Sequence, residues 1–174
     1  KLRNTFKSIV NDHLIIDAVI HFAGLKDSNV SIIKPIEYWD NNVNGAICLL
    51  KTMRSFGCKT IVFSSSAAIY DASQINDFIS EDSIKNPKTP YGQTKLVIEE
   101  LLQNIFENSK EKWRIANLRY FNPIGANPDG IIGEDLNHSS SNIFPAILKV
   151  AKGYKSDLKI FGTNFETQDG TGIR

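Results

Sequence analysis

Little in this chain is charged in excess, rich in sulfur or continuously apolar. Lys and Arg together number 20 and Asp and Glu 19, a formal net charge of +1, so nothing in the charge balance favours nucleic acid or an anionic membrane as a partner. Cysteine occurs only as Cys48 and Cys58. With no second pair, neither a disulfide framework nor a zinc site is suggested, and two buried thiols are expected. His13, His21 and His138 lack metal-ligand spacing, so no metal is expected, and His21 reads as a core or near-core residue. No apolar run reaches the ~18 residues that span a bilayer, and no signal peptide is visible. A cytoplasmic protein is the expectation that fits this composition.

What is present is an alternation of helical and strand-like segments, which predicts an α/β fold on a parallel sheet. A helix over residues 2–10 leads into an apolar run, DAVIHFAGLK at 17–26, without clean alternation. Such a run suits a parallel strand covered on both faces. A loop at 25–34 follows, then a helix with Val43, Ala46, Ile47, Leu50 and Met53 on one face, ended near Gly57. The strand TIVFSSS is followed by a long polar loop at 71–90, of a length that is usually functional. A helix at 91–108, a strand near 115–120, a helix around 144–152 and a strand near 158–161 complete the order. No internal repeat occurs.

The chemistry concentrates at strand ends, where ligands collect in open α/β sheets. Ala23, Gly24 and Lys26 end the first run, Ser66 ends FSSS, and Asn122 follows RIANLRYFN. Tyr91 stands four residues before Lys95 in PYGQTK, so both share one helix face. A phenol beside an ammonium can act as a base near neutrality, and a serine hydroxyl can relay the proton of an alcohol. The plainer alternative pairs Lys95 with Glu99 on a solvated helix face, worth a few tenths of a kcal/mol.

The segments HFAGLK, YWDNNVNG, FSSSAAIY, TPYGQTK, LRYFNPIGAN and IFGTNFETQDGTGIR, in this order, resemble the UDP-glucose 4-epimerases, a branch of the extended short-chain dehydrogenase/reductases. The resemblance covers essentially the whole chain. It implies a Rossmann-like doubly wound parallel sheet, truncated at both ends. Residues 1–135 would be the central and carboxyl-terminal part of an NAD-binding domain without its first βαβ unit and glycine-rich turn, and residues 136–174 the start of a substrate-binding region.

By the same resemblance Ser66, Tyr91 and Lys95 are catalytic. Phe22, Ala23, Gly24, Lys26, Asn41 and Phe121 line the NAD side, while Asn122, Asn142, Phe161 and Arg174 hold the UDP part of a UDP-sugar. The implied reaction interconverts UDP-glucose and UDP-galactose by NAD-mediated oxidation to a 4-keto sugar and reduction on its opposite face. A homodimer through the helices near 37–56 and 91–108 is also implied. Dehydratases of this scaffold follow the catalytic hydroxyl with an acidic pair, and here Ala67 and Ala68 follow Ser66. A uronic acid epimerase or decarboxylase, and an inactive fragment acting as an interaction module, remain the alternatives.

Overall fold

The computed structural model describes residues 1–71, 78–133, 142–160 and 162–172. It divides into two compact units, Lys1–Asn122 and Pro123–Arg174.

In the first unit three strands, β1 (Val19–His21), β2 (Thr60–Ser66) and β3 (Arg114–Tyr120), lie side by side in chain order, all parallel. The register pairs His21 with Phe63 and Ser66 with Tyr120. Parallel neighbours need long crossovers. Between β1 and β2 these are α2 (Ser28–Ile33), α3 (Pro35–Tyr38), a π-helical turn (Trp39–Asn44) and α4 (Gly45–Ser55). Between β2 and β3 runs α5 (Pro90–Asn108), and α1 (Leu2–Asn11) precedes β1. The expected Rossmann-like parallel architecture is present.

Local chemistry sets the helix ends. Asp27 Oδ1 accepts from the Asn29 and Val30 N–H groups at 2.9 and 3.1 Å, satisfying two donors at the start of α2. This short helix lies within the segment read as a loop, because the Asp27 cap was not recognised as a start signal. Thr89 caps α5 by accepting from the Gly92 N–H at 3.2 Å, with Pro90 in the first turn. After α4, Gly57 takes φ 74°, and Cys58 N–H returns to Met53 O at 3.0 Å. That closes the helix with a left-handed glycine.

One sheet face carries the core. Ile61, Phe63 and Ser65 of β2 point into it, where Ile61 and Phe63 meet Phe6, Ala46, Leu49, Leu50, Met53, Ile98, Leu102 and Trp113. On the other face Ile20 is 65% exposed, so among the described residues the sheet is not covered on both sides as the apolar run suggested. That run was also read too long. Only Val19–His21 find partners on β2, and the chain leaves the ladder before Gly24.

The second unit carries α6 (Ile143–Ala151), close to its expected place. The strand expected near 158–161 is not formed over residues 158–160, where Leu158 and Ile160 are exposed and no ladder partner occurs among the described residues; Phe161 lies outside them. Apolar character without a neighbouring strand does not make a sheet. Cys58 is buried as expected, but Cys48 is exposed, since it falls between the inward positions Ala46 and Leu49 of α4.

Candidate active site

Ser66 ends β2 with extended backbone angles, and its Oγ accepts from the Ala68 N–H at 3.2 Å. That bond starts a 3-10 turn over Ala67–Ile69 and leaves the hydroxyl proton to donate elsewhere. Tyr91 stands on the first turn of α5, where its backbone N–H donates to Ser31 Oγ at 3.1 Å. Ser31 is fully buried and in turn donates to Ser28 O at 2.6 Å. The helix start is therefore fixed to α2 by a side chain that satisfies one of its open donors.

Lys95 is 5% exposed. Its Nζ donates to Ser64 O at 2.7 Å and lies 4.9 Å from the Phe63 ring centre and 5.8 Å from that of Tyr91. Burial pushes the ammonium down from its ordinary range to about 8, because a charge withdrawn from water without a counter-ion is costly. Burial first, and the Lys95 charge second, also hold the His21 imidazolium below its usual value. The solvated Lys95–Glu99 pair does not form. Glu99 is buried and bonds Arg119 instead, with the shortest distance 2.8 Å.

Two glycines make the approach of these elements possible. A Cβ at Gly92 would stand 2.5 Å from Ala68 O and 2.9 Å from Pro87 Cβ, so the helix that carries Tyr91 meets the turn that begins at Ser66 only because residue 92 has no side chain. At Gly24 a Cβ would lie 3.1 Å from Asn42 Oδ1 and 3.9 Å from Lys95 Nζ. Asn42 is buried and brackets the backbone of Leu25, accepting its N–H at 2.8 Å and donating to its carbonyl at 3.0 Å. It also donates to Thr94 Oγ1 at 3.3 Å, and Thr94 donates to Tyr91 O at 2.7 Å.

The structure thus gathers Ser66, Tyr91, Lys95 and Gly24 on neighbouring elements. Phe22, Ala23, Lys26, Asn41 and Phe121 are exposed, and the Phe22 ring is 6.0 Å from Tyr120. Asn122 follows β3 and is exposed, and Asn142 precedes α6 in the second unit. Phe161, Arg174 and His138 fall outside the described residues. Sequence reasoning missed Asn42, Ser31, Thr94 and Gly92. A polar residue recurring inside apolar helical stretches was the available sign for Asn42, but the π-helical turn that aims it inward has no signature in residue type. Among the described residues no cluster of His, Cys, Asp or Glu could hold a metal, and no helix is long and apolar enough to cross a membrane.

A strand-end serine thus stands at the edge of a parallel sheet with a tyrosine and a buried lysine one turn apart on the following helix. Residues 3–174 match the family model described as the NAD dependent epimerase/dehydratase family, and the chain belongs to that family. UDP-glucose 4-epimerase 2 of Oryza sativa subsp. japonica is 48% identical over 158 residues, covering 91% of this chain and 38% of the rice protein. The solved UDP-glucose-4-epimerase of Stenotrophomonas maltophila, with NAD and formylated UDP-arabinopyranose, superposes with TM-score 0.88 at 39% identity, over 99% of this chain and 51% of that one. That of Bifidobacterium longum, in complex with NAD+ and UDP, gives TM-score 0.87 at 39% identity, over 99% and 51%. The chain spans about half, or less, of the length of these relatives.

Proposed function

We propose that the protein to which this chain belongs is an NAD-dependent UDP-glucose 4-epimerase. The observation that carries the reading is the buried Lys95 ammonium, held by Ser64 O at 2.7 Å and set beside the Tyr91 ring on α5. Relatives named as UDP-glucose 4-epimerases, 39 to 48% identical to the chain, support it.

The residues fit a nicotinamide ribose, because Lys95 offers an ammonium donor next to the side-chain-free surface of Gly24. NAD, when bound, supplies a two-electron acceptor and donor at the carbinol carbon. The chain's own groups handle the proton. Ser66 Oγ holds the sugar 4-hydroxyl, Tyr91 Oη in its deprotonated form takes the proton and becomes a neutral phenol, and the Lys95 charge stabilises the negative oxygen before that transfer. The proton returns after the sugar presents its other face. Burial keeps Lys95 cationic only below about pH 8, so the same lysine limits this stabilisation as pH rises.

Phe22, Ala23, Lys26, Asn41 and Phe121 are assigned to the NAD side in this reading, and Asn122, Asn142, Phe161 and Arg174 to the UDP moiety. A guanidinium such as that of Arg174 suits a diphosphate, since its forked donors do not titrate away. The protein acts in the cytoplasm as a homodimer through helices near 37–56 and 91–108, a part of the reading that a sedimentation experiment decides separately. The activity is tested with the full-length protein, following UDP-galactose conversion to UDP-glucose. Tyr91→Phe is expected to lower turnover by about 10²- to 10⁴-fold with UDP binding retained. Wild-type-like turnover in that variant, or a 4,6-dehydratase product from the unaltered protein, overturns the proposal.

A further inference from the structure

Behind the site lies a polar cluster that the proposed chemistry does not use. Arg119, on β3, sends Nε to Glu99 Oε1 and Oε2 at 3.1 and 3.2 Å and Nη2 to Oε2 at 2.8 Å. Its Nη1 donates to Tyr70 Oη at 2.8 Å and to the Glu81 carbonyl at 2.7 Å. The side chains of Arg119 and Glu99 are only 16% and 6% exposed, and Tyr70 is also buried. A planar guanidinium can serve three partners in fixed directions, which a lysine ammonium on a flexible stem cannot.

Each partner belongs to an element that carries a candidate catalytic group. Glu99 stands on α5, one helical turn beyond Lys95. Tyr70 closes the 3-10 turn that Ser66 opens. Glu81 lies on the limb that returns to Pro90 and Tyr91, and that limb is tied back to Tyr70 by an antiparallel bridge between Tyr70 and Lys85 and by the Asp71 N–H donating to Ile84 O at 2.9 Å. Asp71, 3% exposed, also accepts from Asn86 and Lys88 at 2.8 and 3.2 Å. Every element involved lies within the first unit.

We propose that Arg119 is a positioning residue, a three-way clamp that sets the Ser66 turn, the return limb and helix α5 relative to one another and so aligns Ser66 with Tyr91 and Lys95. The clamp deepens the functional reading above, and its alignment role rests on that reading. Close packing at Gly92 and the core seats of Ile98 and Leu102 hold α5 against the sheet, while the turn that carries Glu99 reaches Tyr70 and the Glu81 carbonyl through the Arg119 fork. Arg119 thereby adds a polar tie between the Glu99 turn of α5 and the far end of the turn that Ser66 opens.

The test uses the full-length protein and two variants, Arg119→Lys and Tyr70→Phe. Arg119→Lys keeps the charge opposite Glu99 and loses the fork; Tyr70→Phe removes one branch and leaves the ion pair whole. Hydrogen exchange is expected to quicken at the amides of Ala68, Tyr70 and Asp71 by about tenfold or more, while those of Leu49 to Met53 on α4 are unchanged. Turnover is expected to fall by about 10- to 100-fold in Arg119→Lys, with KM for the UDP-sugar within about twofold. Unchanged exchange at the three amides, or a uniform rise across the protein, overturns the clamp, as does wild-type turnover per folded molecule in both variants. Where the unaltered protein shows no epimerase turnover, the functional reading falls and the exchange contrast alone decides the clamp.

Discussion

Replacing Lys95 with methionine is expected to stabilise the fold at neutral pH while removing activity. In the native protein burial brings Lys95 from 10.5 to about 8, and at about 1.4 kcal/mol per pKa unit the folded state carries a penalty of about 3 kcal/mol wherever both states are protonated. Methionine removes that penalty and packs its thioether against Phe63. The substitution leaves Ser64 O without the donor it has at 2.7 Å, a loss of about 1 to 2 kcal/mol. The net gain at pH 7 is therefore about 1 to 2 kcal/mol.

The pH dependence separates this account from a simple packing effect. Above about pH 8 the folded lysine is neutral while the unfolded one keeps its proton up to about 10.5. The unfolded state then binds more protons, so native stability rises with pH through that window. The advantage of Lys95→Met must shrink over the same interval. Urea denaturation of both proteins at pH 7, 8.5 and about 10 measures it, and other titrating groups cancel in the difference. A variant less stable than the native protein at pH 7, or an advantage that does not change between pH 7 and 10, refutes the reasoning. A stabilised but inactive variant fits the expectation that sites which handle protons are held at a cost to the fold.

Gly92→Ala forces a methyl against a backbone oxygen 2.5 Å away, and a loss of about 1 to 3 kcal/mol in urea denaturation is expected; a neutral result would show that α5 can shift freely against the Ser66 turn. Asn117 sits on the core face of β3, opposite Phe63, and its buried Oδ1 has no hydrogen-bond partner among the described residues. Asn117→Leu is expected to raise stability by about 1 to 2 kcal/mol, and a fall would mean that the carboxamide is needed there.

What could be read from residues was mostly what periodicity and punctuation record. TIVFSSS is one strand from Thr60 to Ser66, and α5 begins within a residue of the expected position because Thr89 and Pro90 mark a helix start in sequence as in space. The Tyr91/Lys95 spacing survives as a shared helix face. What could not be read was who partners whom. Glu99 lies four residues after Lys95, an arrangement that suggests an ion pair, yet the nearer charge in three dimensions is Arg119, on a strand 20 residues further along. Asn41 and Asn42 are indistinguishable by type. One is exposed and the other holds Leu25, because consecutive residues of a helical turn face different sides and residue type does not say which side meets the core. The strand assigned from Asp17 onward ended early because its length depends on β2, not on its own composition.

The wide winding at Trp39–Asn44 has a bearing on how this chain can vary. Rewinding the same six residues as a regular helix would turn the chain further at every residue, and the accumulated rotation would swing α4 around its axis relative to Tyr38. If Ala46, Leu49, Leu50 and Met53 kept their seats in the core, the carboxamide bracket and the buried Tyr38, whose hydroxyl reaches Asp27 O at 2.6 Å, would swing off their marks together. This short stretch therefore acts as a phase setter through the width of its winding.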